Sequence, residues 1–575
     1  LTGTLLDHSN RRLDGPAIAR GAGDAALLWP ALILALIPVI YLVASSFNVA
    51  DLGKPYAFGL DNWAAALTSR GTVRAIGNTL LLSTRVIFAF VAALAISWAI
   101  VRLEIPGRRF VEGSLWVAFF LPSVPVAMAW ILLLHRDYGL INIALQHVPF
   151  LPKHMFSIHS MAGIMWVYVT IATTPFLTIV FTPVFRRMDA AFEEVARVNG
   201  ANRLQTTLRI VLPTLFPALI IGLLATFVRS LESFEVEQLV GAPARIFVFT
   251  TRIYDLTRED PPLYNQAMTL GTLFLAIVLV LAALQVMYLR RHPTSVTVSG
   301  RSARVAISSR RGTRAAAGAI AIGFVVITIY LPLAMLLIGS CTKVFGFFGM
   351  RDPWTAANWL TVLTDDRFLR ATRNSFVFGL GVAIVAVPLY LRLAFIIARA
   401  PGSRQGALAS VLIWLPWAVP GFAFGLAILD LLLRVDFLAP FYGTAAPIVF
   451  AMLIKEMPVG VQLLRVAVEQ HGREFEDAAA VAGAARWQTL RRITLPMLSP
   501  TLVAVFIIVF AGVMKEIGTI VMLSGPGTET LSMLMFDYAN EGHKEAAAVI
   551  GVLFAVGSAF LAMAVSRRIV LTGPQ

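Results

Sequence analysis

The sequence predicts an all-α membrane protein of about twelve transmembrane helices, arranged as two parallel six-helix repeats. Three observations carry that prediction. The chain of 575 residues is 58% hydrophobic and 14% charged, with a mean hydropathy of +0.78. Apolar runs of about 20 residues, each long enough to cross ~30 Å of hydrocarbon, recur along it. A long internal repeat divides it into two similar parts.

The spans are expected near 26–46, 78–101, 112–135, 160–185, 213–230 and 266–289. A second set follows near 316–339, 374–398, 406–433, 444–466, 496–514 and 546–566. The net charge of +15 could suggest nucleic acid, but its placement argues against it. Arg102, Arg108 and Arg109 follow the second span, and Arg186, Arg187, Arg197, Arg203 and Arg209 follow the fourth. Between the parts, arginines 290, 291, 301, 304, 310, 311 and 314 stand with no acid among them. That is the distribution of loops held on the cytoplasmic side, so both termini and the central linker are expected there, beside anionic lipid. The predicted organisation is a tail (1–25), a first half (26–289), a basic linker (290–315) and a second half (316–575). Residues 1–25 lack the apolar core and cleavage site of a signal peptide. A single cysteine, Cys341, excludes an intrachain disulfide.

Residues 192–219 read FEEVARVNGANRLQTTLRIVLPTLFPAL, and residues 475–502 read FEDAAAVAGAARWQTLRRITLPMLSPTL. At an offset of 283, 16 of these 28 positions are identical. Weaker echoes pair Asn62-Trp63 with Asn358-Trp359, Asn78 with Asn374, and Leu121-Pro122 with Leu415-Pro416. Six spans per copy is an even number, so the copies share one orientation. The best-matched segment is a polar loop, where shared apolar composition cannot explain the likeness. Its residues predict a short helix: Glu193 and Glu194, or Glu476 and Asp477, suit the positive end of the helix dipole. Ala196 and Ala479 favour helix. Gly200 and Gly483, followed by Ala201 and Ala484, allow a sharp turn. Leu212-Pro213 and Leu495-Pro496 are expected to start the next helix.

Acid-x-Ala, glycine six residues after the acid, and a later Leu-Pro resemble the EAA loop of ATP-binding-cassette importer permeases. Val195 and Asp477 depart from the motif without removing the acid or the glycine. The resemblance implies a permease fold of the type I importer kind, with loops 187–213 and 470–496 acting as coupling helices. It implies two copies of an ATPase subunit that bind ATP and Mg, an external substrate-binding protein, and a bacterial inner membrane. The chain itself has no phosphate-binding loop, so no cofactor and no catalytic residue are expected on it. The segments LESFEVEQLVGAPARIFVFTTRIY and KEIGTIVMLSGPGTETLSMLMFDYA resemble fused permeases of the ferric-iron group, related to thiamine, polyamine and aminophosphonate permeases. The alternative is a twelve-span, ion-coupled secondary transporter, which also has two parallel halves.

Ionisable residues near membrane depth are the candidate pathway. They are Glu232, Glu235 and Glu237 after the fifth span, and Lys515 and Glu516 at the aligned place in the second half. Lys455 and Glu456 lie in the tenth span, where the first half has Ala172-Thr173. Lys455 and Glu456 are adjacent and point in different directions, so one should face water or another helix. Arg85 is expected to snorkel toward its membrane end. Pro175 and Pro458 align, which predicts a shared kink. The histidines show no metal-ligand spacing.

Overall fold

The computed structural model describes residues 17–50, 54–150, 152, 154–187, 195–196, 198–291, 311–399 and 404–572. Most of the tail and linker, together with Glu193 and Glu194, lie outside the described residues. The described chain is helical, and its β-structure is two isolated bridges, Asn48 with Phe58 and Thr342 with Trp354. Eight helices are long and apolar enough to cross a membrane, and four bent helix pairs bring the number to twelve if each pair is one crossing.

Several boundaries move for local reasons. The first helix reaches back to Ala17 rather than starting near 26, because its alanine-rich opening continues the helix. The second and eighth spans begin at Arg70 and Asp366, eight residues earlier than hydropathy suggests. Ser69 caps the first of these through Thr72 N (3.4 Å), and Asp365 caps the second through Arg367 N (2.8 Å). A side-chain acceptor at the N-cap satisfies a backbone donor outside the apolar stretch. The third span is broken between Arg108–Phe120 and Ser123–Leu134 with a 107° bend, and the ninth between Gln405–Ala418 and Gly421–Arg434 with a 94° bend. Leu121 and Val419 are extended immediately before Pro122 and Pro420, as proline requires of its predecessor.

The sequence echoes turn out to be hydrogen-bonding positions. Asn62 Nδ2 donates to Asn48 O (2.7 Å), and Asn358 Nδ2 donates to Thr342 O (2.8 Å). Each ties the loop after the first span of its half. Asn78 Nδ2 reaches Phe247 O (2.8 Å), while Asn374 Nδ2 reaches Gly527 O (2.8 Å) and Glu529 O (3.0 Å). Their neighbours act with them: Phe249 N donates to Thr79 Oγ1 (2.9 Å) and Leu531 N to Ser375 Oγ (2.7 Å). Buried and half-buried side chains therefore hold the irregular backbone that follows the fifth span of each half, where lipid could not.

The halves interlock by exchange. The helix Ala17–Ser45 packs on Gly421–Arg434 of the second half, and Leu331–Ser340 packs on Ser123–Leu134 of the first. The last helices do the same: Tyr264–Arg291 meets Gly421–Arg434, and Lys544–Thr572 meets Arg108–Phe120. A Cβ at Gly271 would collide with Ala423, and one at Gly551 with Pro125, so glycine permits these close crossings. Phe234 joins the halves through ring contacts with Phe422 (4.0 Å) and Phe536 (5.5 Å).

Arg85 does not snorkel. It is 1% exposed and ion-paired with Glu237, itself 0% exposed, at 3.3 Å. Tyr168 Oη donates to the other carboxylate oxygen (2.8 Å), and Ser233 Oγ donates to Oε1 (2.6 Å). Arg85 also covers the Tyr168 ring at 3.9 Å and donates to Ser233 Oγ and Ser230 O. The network closes within the first half, because a cation this deep is tolerable only when paired.

Two outcomes follow for the protein in lipid nanodiscs. Glu237→Gln should lower unfolding stability by about 3–5 kcal/mol by stranding the guanidinium, whereas Arg85→Met with Glu237→Leu should recover most of it. Asn374→Ala should cost about 1–3 kcal/mol by leaving two loop carbonyls unsatisfied. Thermal unfolding followed by tryptophan emission measures both.

Candidate functional site

The two repeated loops fold alike wherever both are described. In the second, Glu474–Val481 is a helix with Glu474, Glu476 and Asp477 in its first turn. Ala479 and Ala196 are 6% and 4% exposed, so the alanine of each motif packs inward. Ala484 N donates to Ala479 O (2.9 Å), and Ala201 N donates to Ala196 O (3.0 Å). Between them Gly483 and Gly200 take φ of +79° and +80°. A six-residue closure around a left-handed glycine is the turn that ends a helix by satisfying its last carbonyls. Nothing lies within 4 Å of a Cβ at either glycine, so the requirement is backbone conformation and not space.

After the turn, Gln205 Oε1 accepts from Asn202 N and Gln488 Oε1 accepts from Ala485 N, both at 3.0 Å. The next helices thus start at Arg203 and Arg486, well before the Leu-Pro pairs. Leu212-Pro213 and Leu495-Pro496 do not open those helices as expected. They lie within a continuing helical path, preceded by π-turns at Thr207–Val211 and Leu490–Thr494. The wider turn accommodates a residue that lacks a backbone donor.

Each loop projects an apolar tip. Val198 is 85% exposed and Val481, its repeat equivalent, 90%. Glu476 forms an ion pair with Arg399, at the end of the helix Asp366–Ala398, and Arg473 donates to Arg399 O. Asp477 stays exposed. Pro106-Gly107 aligns with Pro401-Gly402, which places Glu104 opposite Arg399 in the repeat.

The candidate pathway residues, Glu237 apart, gather in one cluster between the halves. Lys455 Nζ donates to Glu516 Oε1 (2.8 Å) and Thr519 Oγ1 (3.1 Å). Thr519 N donates to Glu516 Oε1 (3.0 Å), and Ser532 Oγ to Glu516 O (3.0 Å). Lys515 crosses to the first half, donating to Phe119 O (3.1 Å) with its ammonium 4.9 Å from the Phe119 ring. Arg229 NH1 lies 3.3 Å from Glu232 Oε2 and its guanidinium 5.3 Å from the Trp417 ring. A Cβ at Gly421 would meet Lys455 Nζ, Glu516 Oε1 and Thr519 Oγ1, and one at Gly512 would meet the Glu456 carboxylate. As the sequence requires, Lys455 and Glu456 do not pair with each other: one meets Glu516, and the other lies beside Gly512.

Arg229 and Thr519 belong to this cluster and were missed in the sequence. Arg229 reads as an ordinary basic residue at a helix end, and Thr519 as a loop residue. The shared proline kink also differs between halves. Pro175 follows a π-turn, Val169–Thr173, within a helix running from Met161 to Arg186. At Pro458 the helix breaks by 44° between Lys455 and Met457. That break leaves Glu456 between two helices, directly after Lys455 ends the first of them. Among the described residues, no three His, Cys, Asp or Glu side chains gather to hold a metal ion.

The chain matches the family model described as "Binding-protein-dependent transport system inner membrane component" twice, over residues 86–293 and 391–571. It is 25% identical over 394 residues to the ferric transport system permease protein FbpB of Actinobacillus pleuropneumoniae, covering 68% of this chain. It spans about half (55%) of that relative's length. A probable ABC transporter permease protein, y4fN of Sinorhizobium fredii, is 24% identical over 551 residues, 92% of each chain. The sulfate transport system permease protein CysT of Escherichia coli is 27% identical over 256 residues, 42% of this chain and 87% of that one. The two matches fall one on each half and contain the two repeated loops, and on this ground the chain belongs to the family of binding-protein-dependent transport system inner membrane components, with two permease units fused in one polypeptide.

Proposed function

We propose that this chain is the membrane pathway of an ABC importer. An external binding protein delivers a small solute, ATPase subunits on other chains supply the energy, and the two halves alternate in access. The carrying observation is the pair of loops with matched left-handed turns and matched exposed tips, Val198 and Val481. A polar loop that keeps an apolar side chain fully in water at the same place in two copies suits a common docking contact. Two ATPase copies bound there, each with ATP and Mg, would draw the loops together. In this reading loops and termini face the cytoplasm, and hydrolysis is the partners' chemistry.

The turn transmits the motion because its glycine cannot be replaced without strain. An L-residue in the left-handed region costs about 1–2 kcal/mol, enough to shift the helix end it closes. Glu476, bound to Arg399, links the second loop to the end of the eighth span. The cargo is ranked as ferric iron first, then thiamine, polyamine or aminophosphonate. The ferric permease among the relatives supports the first place.

Two measurements test the reading. Val198→Asp and Val481→Asp should each weaken association with the ATPase subunits at least tenfold without changing the thermal unfolding of the chain alone. Gly483→Leu should leave ATP hydrolysis running while uptake into proteoliposomes falls. Uptake that proceeds on an ion gradient, with no ATP and no ATPase subunit, would identify the secondary transporter instead.

A further inference from the structure

Four rings meet at the junction of the halves. Phe234 and Tyr254 come from the first half, Phe422 and Phe536 from the second, and all are buried, between 1% and 7% exposed. Phe234 meets Phe422 with ring centres 4.0 Å apart and Phe536 at 5.5 Å, while Tyr254 meets Phe422 at 5.4 Å. The remaining contact, Phe234 with Tyr254 at 5.3 Å, lies within the first half. Three of these four contacts cross the junction, so the halves cannot separate here without parting the rings.

Two features set these rings apart from ordinary packing. Tyr254 and Phe536 hold the same place in the two repeats: each stands five residues after the backbone amide, Phe249 or Leu531, that the second span of its own half accepts. Both pack on Phe234, so repeat-related side chains converge on one point. Parallel repeats are related by an axis along the membrane normal, and a pathway that both copies share lies at their interface. The two rings in closest contact are also carried on interrupted backbone. Phe422 follows the 94° break of the ninth span, and Phe234 lies between the helix end at Leu231 and the π-turn that starts at Glu237. Residues at the ends of elements absorb a backbone change without unwinding a long helix.

The rings stand between the polar cluster and one face of the protein. Phe422 adjoins Gly421, whose Cβ would meet Lys455 Nζ, Glu516 Oε1 and Thr519 Oγ1, and a Cβ at Gly518 would touch the Phe422 ring at 3.5 Å. Tyr254 and Phe536 sit on Phe249–Arg258 and Leu531–Glu541, helices that precede the last span of each half and so lie toward the face opposite the repeated loops. Leu531–Glu541 begins at the cluster, where Ser532 Oγ donates to Glu516 O (3.0 Å), and ends exposed at Glu541.

From this placement we infer that Phe234, Tyr254, Phe422 and Phe536 seal the pathway on the face opposite the repeated loops, and that parting Phe422 from Phe234 opens the Lys455–Glu516 cluster to that face. The rings act as a hydrophobic constriction: in contact they exclude water, and a hydrated solute passes only when they separate. This deepens the importer reading by naming the residues at which access changes, and it rests on that reading for the event that opens them.

The chain has a single cysteine, so Cys341→Ser provides a thiol-free background for the test. In it, Thr519→Cys places a thiol within the polar cluster at a position that is fully buried. Right-side-out membrane vesicles are treated, from the face opposite the loops, with a quaternary-ammonium methanethiosulfonate that does not cross the membrane. Thr519→Cys should react slowly, and adding Phe422→Ala or Phe234→Ala should speed the reaction by roughly tenfold or more. Phe422→Leu, which keeps apolar bulk, should retain most of the protection. Phe181→Ala, which removes a buried ring from a separate cluster in the first half, should leave the rate unchanged. Fast labelling with all four rings present overturns the inference, and so does a rate that neither Phe422→Ala nor Phe234→Ala raises above that of Phe181→Ala. Vesicles that contain the ATPase subunits and are loaded with ATP and vanadate test the importer reading separately. Trapped nucleotide should open the intact seal; if it does not, that reading falls while the result with the ring variants stands.

Discussion

The irregular backbone that follows the fifth span of each half must find all its hydrogen-bond partners inside the protein. In a hydrocarbon solvent an open carbonyl or amide has no water to turn to. Here the partners come from the second span of the same half. Asn78 and Thr79 hold the strand-like segment at Phe247–Phe249, while Asn374 and Ser375 hold Gly527–Leu531. These bonds place the residues between the fifth span and the loop, Glu232–Glu237 and Lys515–Thr519, at the junction of the halves. The charged cluster exists because that backbone is held.

Around this shared scaffold the halves solve the same electrostatic problem with unrelated residues. The first half pairs Arg85 from its second span with Glu237, with Tyr168 and Ser233 completing the shell. The second half pairs Lys455 from its tenth span with Glu516, with Thr519 completing it. By repeat position, Ala172 stands where Lys455 does, and Ser233 where Glu516 does. Each pair ties the segment after a fifth span to a neighbouring helix. The first is closed and has no exposure, whereas the second keeps Glu516 22% exposed beside Glu232 and Glu456. The first pair is sealed in protein, and the second borders a polar cluster to which both halves contribute. A buried charge pair contributes little net stability but strongly disfavours arrangements that separate it.

The repeated loops show the opposite pattern. Their turns agree to within a degree in glycine φ and to a tenth of an ångström in the closing bond. In the second loop Glu476 is pinned to Arg399, and by sequence the first half has Glu104 where Arg399 stands. Similarity is concentrated at the turn and the projecting tip.

Periodic and local signals made much of this legible. Apolar run length located the spans, and the offset of 283 residues located the two loops and their glycines, because backbone conformation at Gly200 and Gly483 is written in residue type. Asn62, Asn78 and their equivalents were visible as echoes, but their purpose was not, since hydrogen-bond partners 14 to 169 residues away leave no local trace. The same limit hid Arg229, Thr519 and the burial of Arg85. Hydropathy assigned each charge a depth, yet depth does not say which helix lies beside it. The exchange of first and last helices between the halves decided that, by bringing Phe119 to Lys515 and Trp417 to Arg229. The sequence by itself determined a duplicated membrane chain with two matched turns. Only the tertiary structure decided which charges meet, because pairing depends on distance between helices, and helix packing across a duplicated fold is a property of both copies together.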